Sequence, residues 1–388
     1  METYTGVLFN EDINSGLINS QFIKPLQTLK ENGYDVNIIY ICKPGKNVDA
    51  DIDINIKRIP LAIPYSLFLY GRLSLILVPV MSVIYSLLFY FIVNKDSNYI
   101  VRGYFPSFTF SLLKRFNSSV NYTFDPRSLF IDESMVSKKI PRNGFILNMW
   151  RVIERNTLNY ATNVICVSSK QQEFYSSISK AVCILVPCYS DLHTRTFNSR
   201  SNLPSMIENI EEKIVIGYFG SLDSGWNNVD NYAEFMSKNS SSLHYVIISQ
   251  NFDELSKDKR FCASNITLIG DVSMKDKLSL LNACDYGLFL MSKNPDWETR
   301  LGVKFADYVS LGLPVIISPY VGEAVKYISK YSLPNSIVLD EDGIIKESIL
   351  VKNNRRIREI YSTYASKLFS YNNILKITRN KDSDSNEV

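Results

Sequence analysis

The chain has 388 residues, with 42 Lys and Arg against 39 Asp and Glu, 46% hydrophobic residues and 21% charged residues. That length exceeds a usual single hydrophobic core and predicts two domains of ordinary globular composition. The formal net charge of +3 is scattered along the chain, which excludes the concentrated basic face of a nucleic-acid binder and leaves peripheral contact with an anionic membrane open.

The first half alternates strand-like and helix-like segments. Thr5–Phe9 reads as a strand, followed by a polar loop with Ser15 and Gly16 and a helix near Gln21–Asn32 that Gly33 ends. Asp35–Cys42 and Ile54–Ile59 are the next strands. Leu73–Val93 then runs 21 residues without a charge, long enough to span a bilayer. Pro79 interrupts it and one continuous α/β pattern flanks it, so a buried or membrane-facing helix is expected over a span. Strands follow at Asn98–Val101, Val120–Phe124, Asn163–Val167 and Ala181–Val186, with helices between them. This β-α alternation implies a parallel sheet with helices on both faces.

Residues 191–212 are polar and rich in Ser, Asn, Arg and Pro, and read as a linker after a first domain of residues 1–190. The alternation restarts in a second domain, residues 213–355, with strands at Lys213–Phe219, His244–Ser249, Ile266–Ile269, Tyr286–Leu290, Pro314–Ser318 and Ser336–Leu339. Helical pattern covers Ile344–Leu368, and a C-terminal helix over 356–378 has the length to cross back to the first domain. Residues 379–388 are polar and expected to be disordered. The fold class is therefore α/β, two doubly wound, Rossmann-like parallel-sheet domains, with a ligand cleft expected at the C-terminal strand edges.

The six cysteines lie far apart, mostly in apolar runs and without a CxxC, which predicts buried free thiols in a reducing compartment. His193 and His244 lack ligand spacing, so no metal is expected. The N-terminal stretch shows no basic n-region followed by an apolar h-region, which predicts a cytoplasmic chain without a signal peptide. No G-x-G-x-x-G or Walker A sequence is present, and no cofactor is expected.

The chemistry concentrates in RLGVKFADYVSLGLPVIIS, residues 300–318. Lys304 and Asp307 are three apart on a helix that Gly312 ends, so they share a face. A cation suits phosphate oxygens, and a carboxylate suits two adjacent ribose hydroxyls. Spacing alone favours a plain surface ion pair over a ligand site. In the first half, Arg102-Gly103 and Asp125-Pro126-Arg127 each end a strand. Asp125 has two readings: contact with a sugar or proton transfer, or a loop cap paired with Arg127.

The segment Gly302-Val303-Lys304-Phe305-Ala306-Asp307-Tyr308, with Gly312, Pro314, Val315 and Ile316, resembles the donor domain of GT-B glycosyltransferases, specifically the large retaining group related to family GT4. The family pattern has the form P-x-K-x-x-E-Y-x-x-x-G-x-P-V-I. Gly302 stands in place of its proline and Asp307 in place of its glutamate. GYFGSL at 217–222, ITLIGD at 266–271 and LLNACDYGLFL at 280–290 resemble further family segments. The resemblance implies two domains facing across a cleft and metal-independent transfer of a sugar from a nucleotide-sugar donor to a glycan or lipid-linked glycan, as in bacterial surface polysaccharide synthesis. It also implies donor contacts from Gly16, Gly220, Ser221, Arg300, Lys304 and Asp307. Asp125 becomes the catalytic candidate, and Arg102 and Arg127 become candidates for the acceptor. The cation that the family carries after its glycine turn is missing from Ser221–Asn228. That keeps open a CMP-sugar donor or a non-catalytic sugar-nucleotide-binding subunit, beside another GT-B enzyme such as an epimerase or phosphorylase.

Overall fold

A computed structural model describes residues 1–45, 48, 52–60, 71–190, 192, 212–222, 227–239, 243–270 and 272–383. The chain divides into two compact units, residues 1–187 with 371–388, and residues 188–370. The expected linker lies almost wholly outside the described residues.

Unit 1 is built on a seven-stranded sheet of order β3-β2-β1-β4-β5-β6-β7. Its strands are β1 Thr3–Phe9, β2 Asp35–Cys42, β3 Asn55–Pro60, β4 Ser97–Arg102, β5 Asn121–Asp125, β6 Asn163–Cys166 and β7 Val182–Leu185. Every pair is parallel. Parallel strands are covered on both faces, which is why β2 reads as the nearly unbroken apolar run DVNIIYIC. Val7, Ile39, Val101, Phe124 and Val164 carry the core.

Unit 2 has a six-stranded parallel sheet of order β10-β9-β8-β11-β12-β13. Its strands are β8 Ile214–Phe219, β9 Leu243–Ile248, β10 Ile266–Ile269, β11 Tyr286–Phe289, β12 Val315–Ile317 and β13 Ile337–Val338. Ile216, Tyr245, Leu288 and Ile316 are fully buried in its core. The expectation of doubly wound parallel sheets is met in both units.

Gly312 ends the Val303–Ser310 helix as anticipated, with φ +74°. Its N–H donates to Val309 O (3.0 Å), and Leu313 N–H donates to Tyr308 O (2.9 Å), closing the helix with a pair of reversed bonds. The missing side chain also admits a neighbour: a Cβ here would lie 2.9–3.0 Å from Arg358 Cβ and Cα. Arg358 belongs to the Arg355–Leu368 helix, which packs on Val303–Ser310.

Residues 344–368 do carry helices, a 3-10 turn at Glu347–Ile349 and then the helix Arg355–Leu368. Other expectations are corrected. That helix stays within unit 2, and the chain rejoins unit 1 only from Tyr371. There Lys24 Nζ sits 5.8 Å from the Tyr371 ring, and Lys376 Nζ donates to Leu185 O (3.1 Å). The helix Lys376–Ser383 runs into the stretch expected to be disordered. Pro79 does not break the long apolar helix, which runs Ser74–Ile92. It is not simply buried: one face packs into the core and the other is exposed. All six cysteines are free, but Cys262 is exposed and Cys183 only partly buried.

β11 is hydrogen-bonded to β8 and β12, and its Gly287 faces the Tyr308 ring so closely that a Cβ would fall 2.4–2.6 Å from three ring carbons. Tyr308 is fully buried and its hydroxyl donates to Leu288 O. We expect Gly287→Ala to cost about 1–3 kcal/mol through overpacking. It should appear as a lower urea midpoint at unchanged slope. An unshifted midpoint would show that the ring can yield.

Candidate functional site

In each sheet the strand order reverses at one point, between β1 and β4 in unit 1 and between β8 and β11 in unit 2. Crossovers leave such a point in opposite directions, so the helices part and open a crevice beyond the strand ends. Most of the sequence-predicted residues gather at these two points.

In unit 2, β8 ends at Phe219 and the chain turns at Gly220 with φ +121°. A Cβ on Gly220 would lie 2.9 Å from Lys304 Cε and Nζ. Glycine therefore serves two needs here, the left-handed backbone and the space for the ammonium. Lys304 Nζ also lies 5.4 Å from the Tyr218 ring centroid, within cation–π range. Tyr218 in turn donates from its hydroxyl to Ser221 O (2.8 Å), and Ser221 Oγ donates to Asn251 Oδ1 (2.6 Å). Asn251 follows β9.

Lys304 stands in the first turn of the helix Val303–Ser310, whose N-cap Gly302 has φ +79° and provides no side-chain cap. One turn later Asp307 is 9% exposed and accepts a hydrogen bond from Ser190 Oγ (2.7 Å). Burial pushes the Asp307 carboxyl up to about 7, against the opposing pull of the Ser190 hydrogen bond and the Lys304 charge. Arg300 stacks over Trp297, with its guanidinium carbon 4.6 Å from the ring centroid. Trp297 is only 1% exposed, so it supports Arg300 and has no open face for a sugar. Asp223–Trp226, where a further cation would stand by resemblance, lie outside the described residues.

In unit 1, a cavity of about 210 Å³ opens at the β1/β4 point, lined among others by Glu11, Arg102, Arg127 and Trp150. Arg102 ends β4, and its Nε donates to Glu11 Oε1 (2.9 Å) while Nη1 stands 3.7 Å from Asp125 Oδ2. Arg127 Nε pairs with Asp125 Oδ1 at 2.9 Å. Arg127 holds φ +56°, a conformation that L-residues rarely adopt and that concentrates at functional sites. Asp125 is fully buried between the two guanidiniums. The geometry shows the pairing with Arg127 that one of the two readings of Asp125 expected, with Arg102 as a further partner. The two arginines and Glu11 do line the cavity. Gly16, in contrast, lies exposed at the start of the short helix Gly16–Ile18 and does not line it.

The reading of residue patterns missed Glu11, Trp150 and the polar cluster behind them. Tyr104 OH bonds to both Glu154 Oε1 (3.1 Å) and Tyr175 OH (2.7 Å), and Arg151 bridges Glu154 and Asp132 (3.0 and 2.8 Å). Burial raises the Glu154 carboxyl above its ordinary range. Asp132 is thereby held by Arg151. The Arg102 Nη1 and Trp150 Nε1 donors are buried and make no hydrogen bond among the described residues. Glu11, two residues past β1, carried a positional signal; Trp150, in the middle of the helix Phe145–Tyr160, carried none.

No protein-family model matches the chain, and no curated protein matches its sequence. Solved structures do. The trehalose-6-phosphate phosphatase N-terminal domain of Candida albicans superposes with a TM-score of 0.70 at 13% identity, covering 99% of this chain and 97% of that one. The lipopolysaccharide outer core galactosyltransferase WaaB, in its apo form, gives 0.67 at 12% identity over 98% and 99%. Anabaena HepE, in complex with UDP and glucose, gives 0.62 at 12% identity over 99% and 100%. Such identities establish a shared architecture, and the chain has the GT-B fold, two α/β domains on parallel sheets.

The raised Asp307 carboxyl makes stability depend on pH. The folded state holds this proton more tightly than the unfolded chain, so the group's contribution is intact below about pH 4 and lost as pH rises towards 7. Asp307→Asn removes the titration. Its urea stability relative to the native protein should match near pH 4 and rise by a few kcal/mol by pH 8. A pH-independent difference would refute the assignment.

Proposed function

We propose that the chain is a glycosyltransferase that moves a sugar from a nucleotide-sugar donor to a hydroxyl of a glycan or lipid-linked glycan. One observation carries this reading: the Lys304 ammonium is packed against the Gly220 turn at the β8/β11 reversal, with the Asp307 carboxylate one helical turn behind it. A phosphate placed there meets a cation and the uncapped N–H groups of a helix start, both suited to negative charge. Asp307 then accepts from the ribose hydroxyls. Arg300, steadied on Trp297, supplies the second cation. A galactosyltransferase and a UDP- and glucose-bound protein among the fold neighbours support the choice of donor class.

Sugar transfer breaks the bond from the anomeric carbon to phosphate oxygen and forms one to the acceptor oxygen, whose proton passes to the released phosphate. The developing phosphate charge is offset by Lys304 and the helix N-terminus, so metal-independent transfer is part of the proposal. Retention of configuration and kinship with the GT4 group rest on the motif around Lys304. The acceptor is assigned to the unit 1 cavity, where Arg102 Nη1 and Trp150 Nε1 offer buried donors that a sugar hydroxyl or an acidic group can satisfy. We assign the protein to the cytoplasm and to surface polysaccharide synthesis, with its acceptor presented at the inner membrane face. A second reading, a CMP-sugar donor, is favoured by the absence of a cation at Ser221 and Leu222.

A thermal-shift panel of UDP, GDP, ADP, dTDP and CMP tests the donor class. A nucleotide at about 100 times its Kd stabilises the fold by about 2.7 kcal/mol, and Lys304→Ala should erase that shift. With the matching donor sugar, Lys304→Ala should lower kcat by roughly 10²-fold or more. Unchanged donor turnover in Lys304→Ala would sink the phosphate role, and a chain that binds nucleotide but never hydrolyses or transfers the sugar is a binding subunit.

A further inference from the structure

The helix Ser74–Ile92 has two apolar faces. Val78, Met81, Tyr85 and Phe89 point into the unit 1 core at 6% exposure or less. On the opposite side Ile76, Val80, Val83, Ile84, Leu87 and Phe91 recur at helical spacing and are 48–84% exposed. Water-facing helix surfaces are ordinarily polar. This one carries no charge along 19 residues, about 28 Å of helix.

The two helices packed alongside continue the surface. Ser74–Ile92 lies against Tyr104–Phe116, which lies against Phe145–Tyr160. Phe116 and Phe145 are exposed where these helices end and begin. Across residues 104–160 every exposed charged side chain is basic: Arg115, Lys138, Lys139, Arg142 and Arg155. The acidic residues of that stretch, Asp125, Asp132, Glu133 and Glu154, are buried or partly so. The exposed charges of residues 104–160 are thus of one sign.

We infer that this surface seats the protein on an anionic lipid leaflet, with the Ser74–Ile92 helix lying in the interface plane. The apolar strip, Phe91 included, enters the acyl boundary, Tyr90 sits at headgroup level, and the exposed cations meet lipid phosphates. A bilayer span is excluded by the buried face, because surrounding the helix with lipid would strip Val78, Met81, Tyr85 and Phe89 from the core. A symmetric second copy is disfavoured by charge, since it would bring the same cations to face their own kind. The inference deepens the proposal of an acceptor at the membrane face, and vesicle binding tests it without any activity.

The test is flotation of the full chain with vesicles of phosphatidylcholine and phosphatidylglycerol in equal parts, against phosphatidylcholine alone. The protein should float with the mixed vesicles, bind the neutral ones far less, and release as salt is raised. Leu87→Glu combined with Phe91→Glu should abolish flotation at an unchanged Tm. Lys138→Gln, Lys139→Gln and Arg142→Gln should each weaken binding to the mixed vesicles, by up to about fivefold per cation. No flotation of the native chain, or equal flotation of the glutamate variant, overturns the inference. So does a native dimer that the glutamate pair converts to monomer, which would make a second copy the occupant. The nucleotide-induced thermal shift is measured without lipid, so failure of one proposal leaves the other standing.

Discussion

A parallel strand covered by helices on both faces has no place for a charged side chain along its length. Polar groups are driven to the strand ends, and only where the strand order reverses do the covering helices part enough to leave room beside them. Arg102 and Asp125 close β4 and β5; Gly220 and Ser221 follow β8. The helix carrying Lys304 delivers its first turn to the same end of the sheet. The placement of every candidate residue that gathers at a site follows from this one constraint.

The two units handle buried charge differently. In unit 1 the carboxylate of Asp125 is consumed by two guanidiniums, and a third group, Glu11, takes Arg102 Nε. The charges of these four groups sum to zero, which makes burial tolerable, and both arginines line the cavity. In unit 2 the balance is incomplete. Asp307 has a neutral donor in Ser190 and a cation one turn away, and its carboxyl is raised well above the ordinary carboxylate range. A poorly compensated carboxylate beside a cation is a poor structural ion pair. It gains when a ligand brings hydroxyl donors to it.

The long apolar helix shows the same economy at the surface. Val78, Met81, Tyr85 and Phe89 suffice to anchor it in unit 1, so the outward residues contribute nothing to the core. Folding alone would be served equally well by polar residues there, which removes water exposure of large side chains. The outward strip is therefore a surface property.

Much of the fold was legible in the sequence. Apolar runs of five or six residues alternating with amphipathic stretches announced two parallel sheets, and β2 and β10 lie at the very residues the pattern marks. Gly33 and Gly312 announced helix ends because only glycine meets the left-handed backbone cheaply. The shared face of Lys304 and Asp307 was likewise a matter of helical period. These are local properties, set by neighbours within a few residues. Tertiary structure decided the rest. Asp125 gained a second cation because Arg102, from another strand, stands beside it. Asp307 acquired its raised carboxyl because the surrounding core excludes water from it, against the pull of the Ser190 hydrogen bond. Trp150 reached the unit 1 cavity from the middle of a helix, and the long apolar segment divided into a buried and an exposed face only once its neighbours packed. Periodicity fixes which way a side chain points along its own element; what stands opposite it, and whether water is present, is settled only by elements distant in sequence.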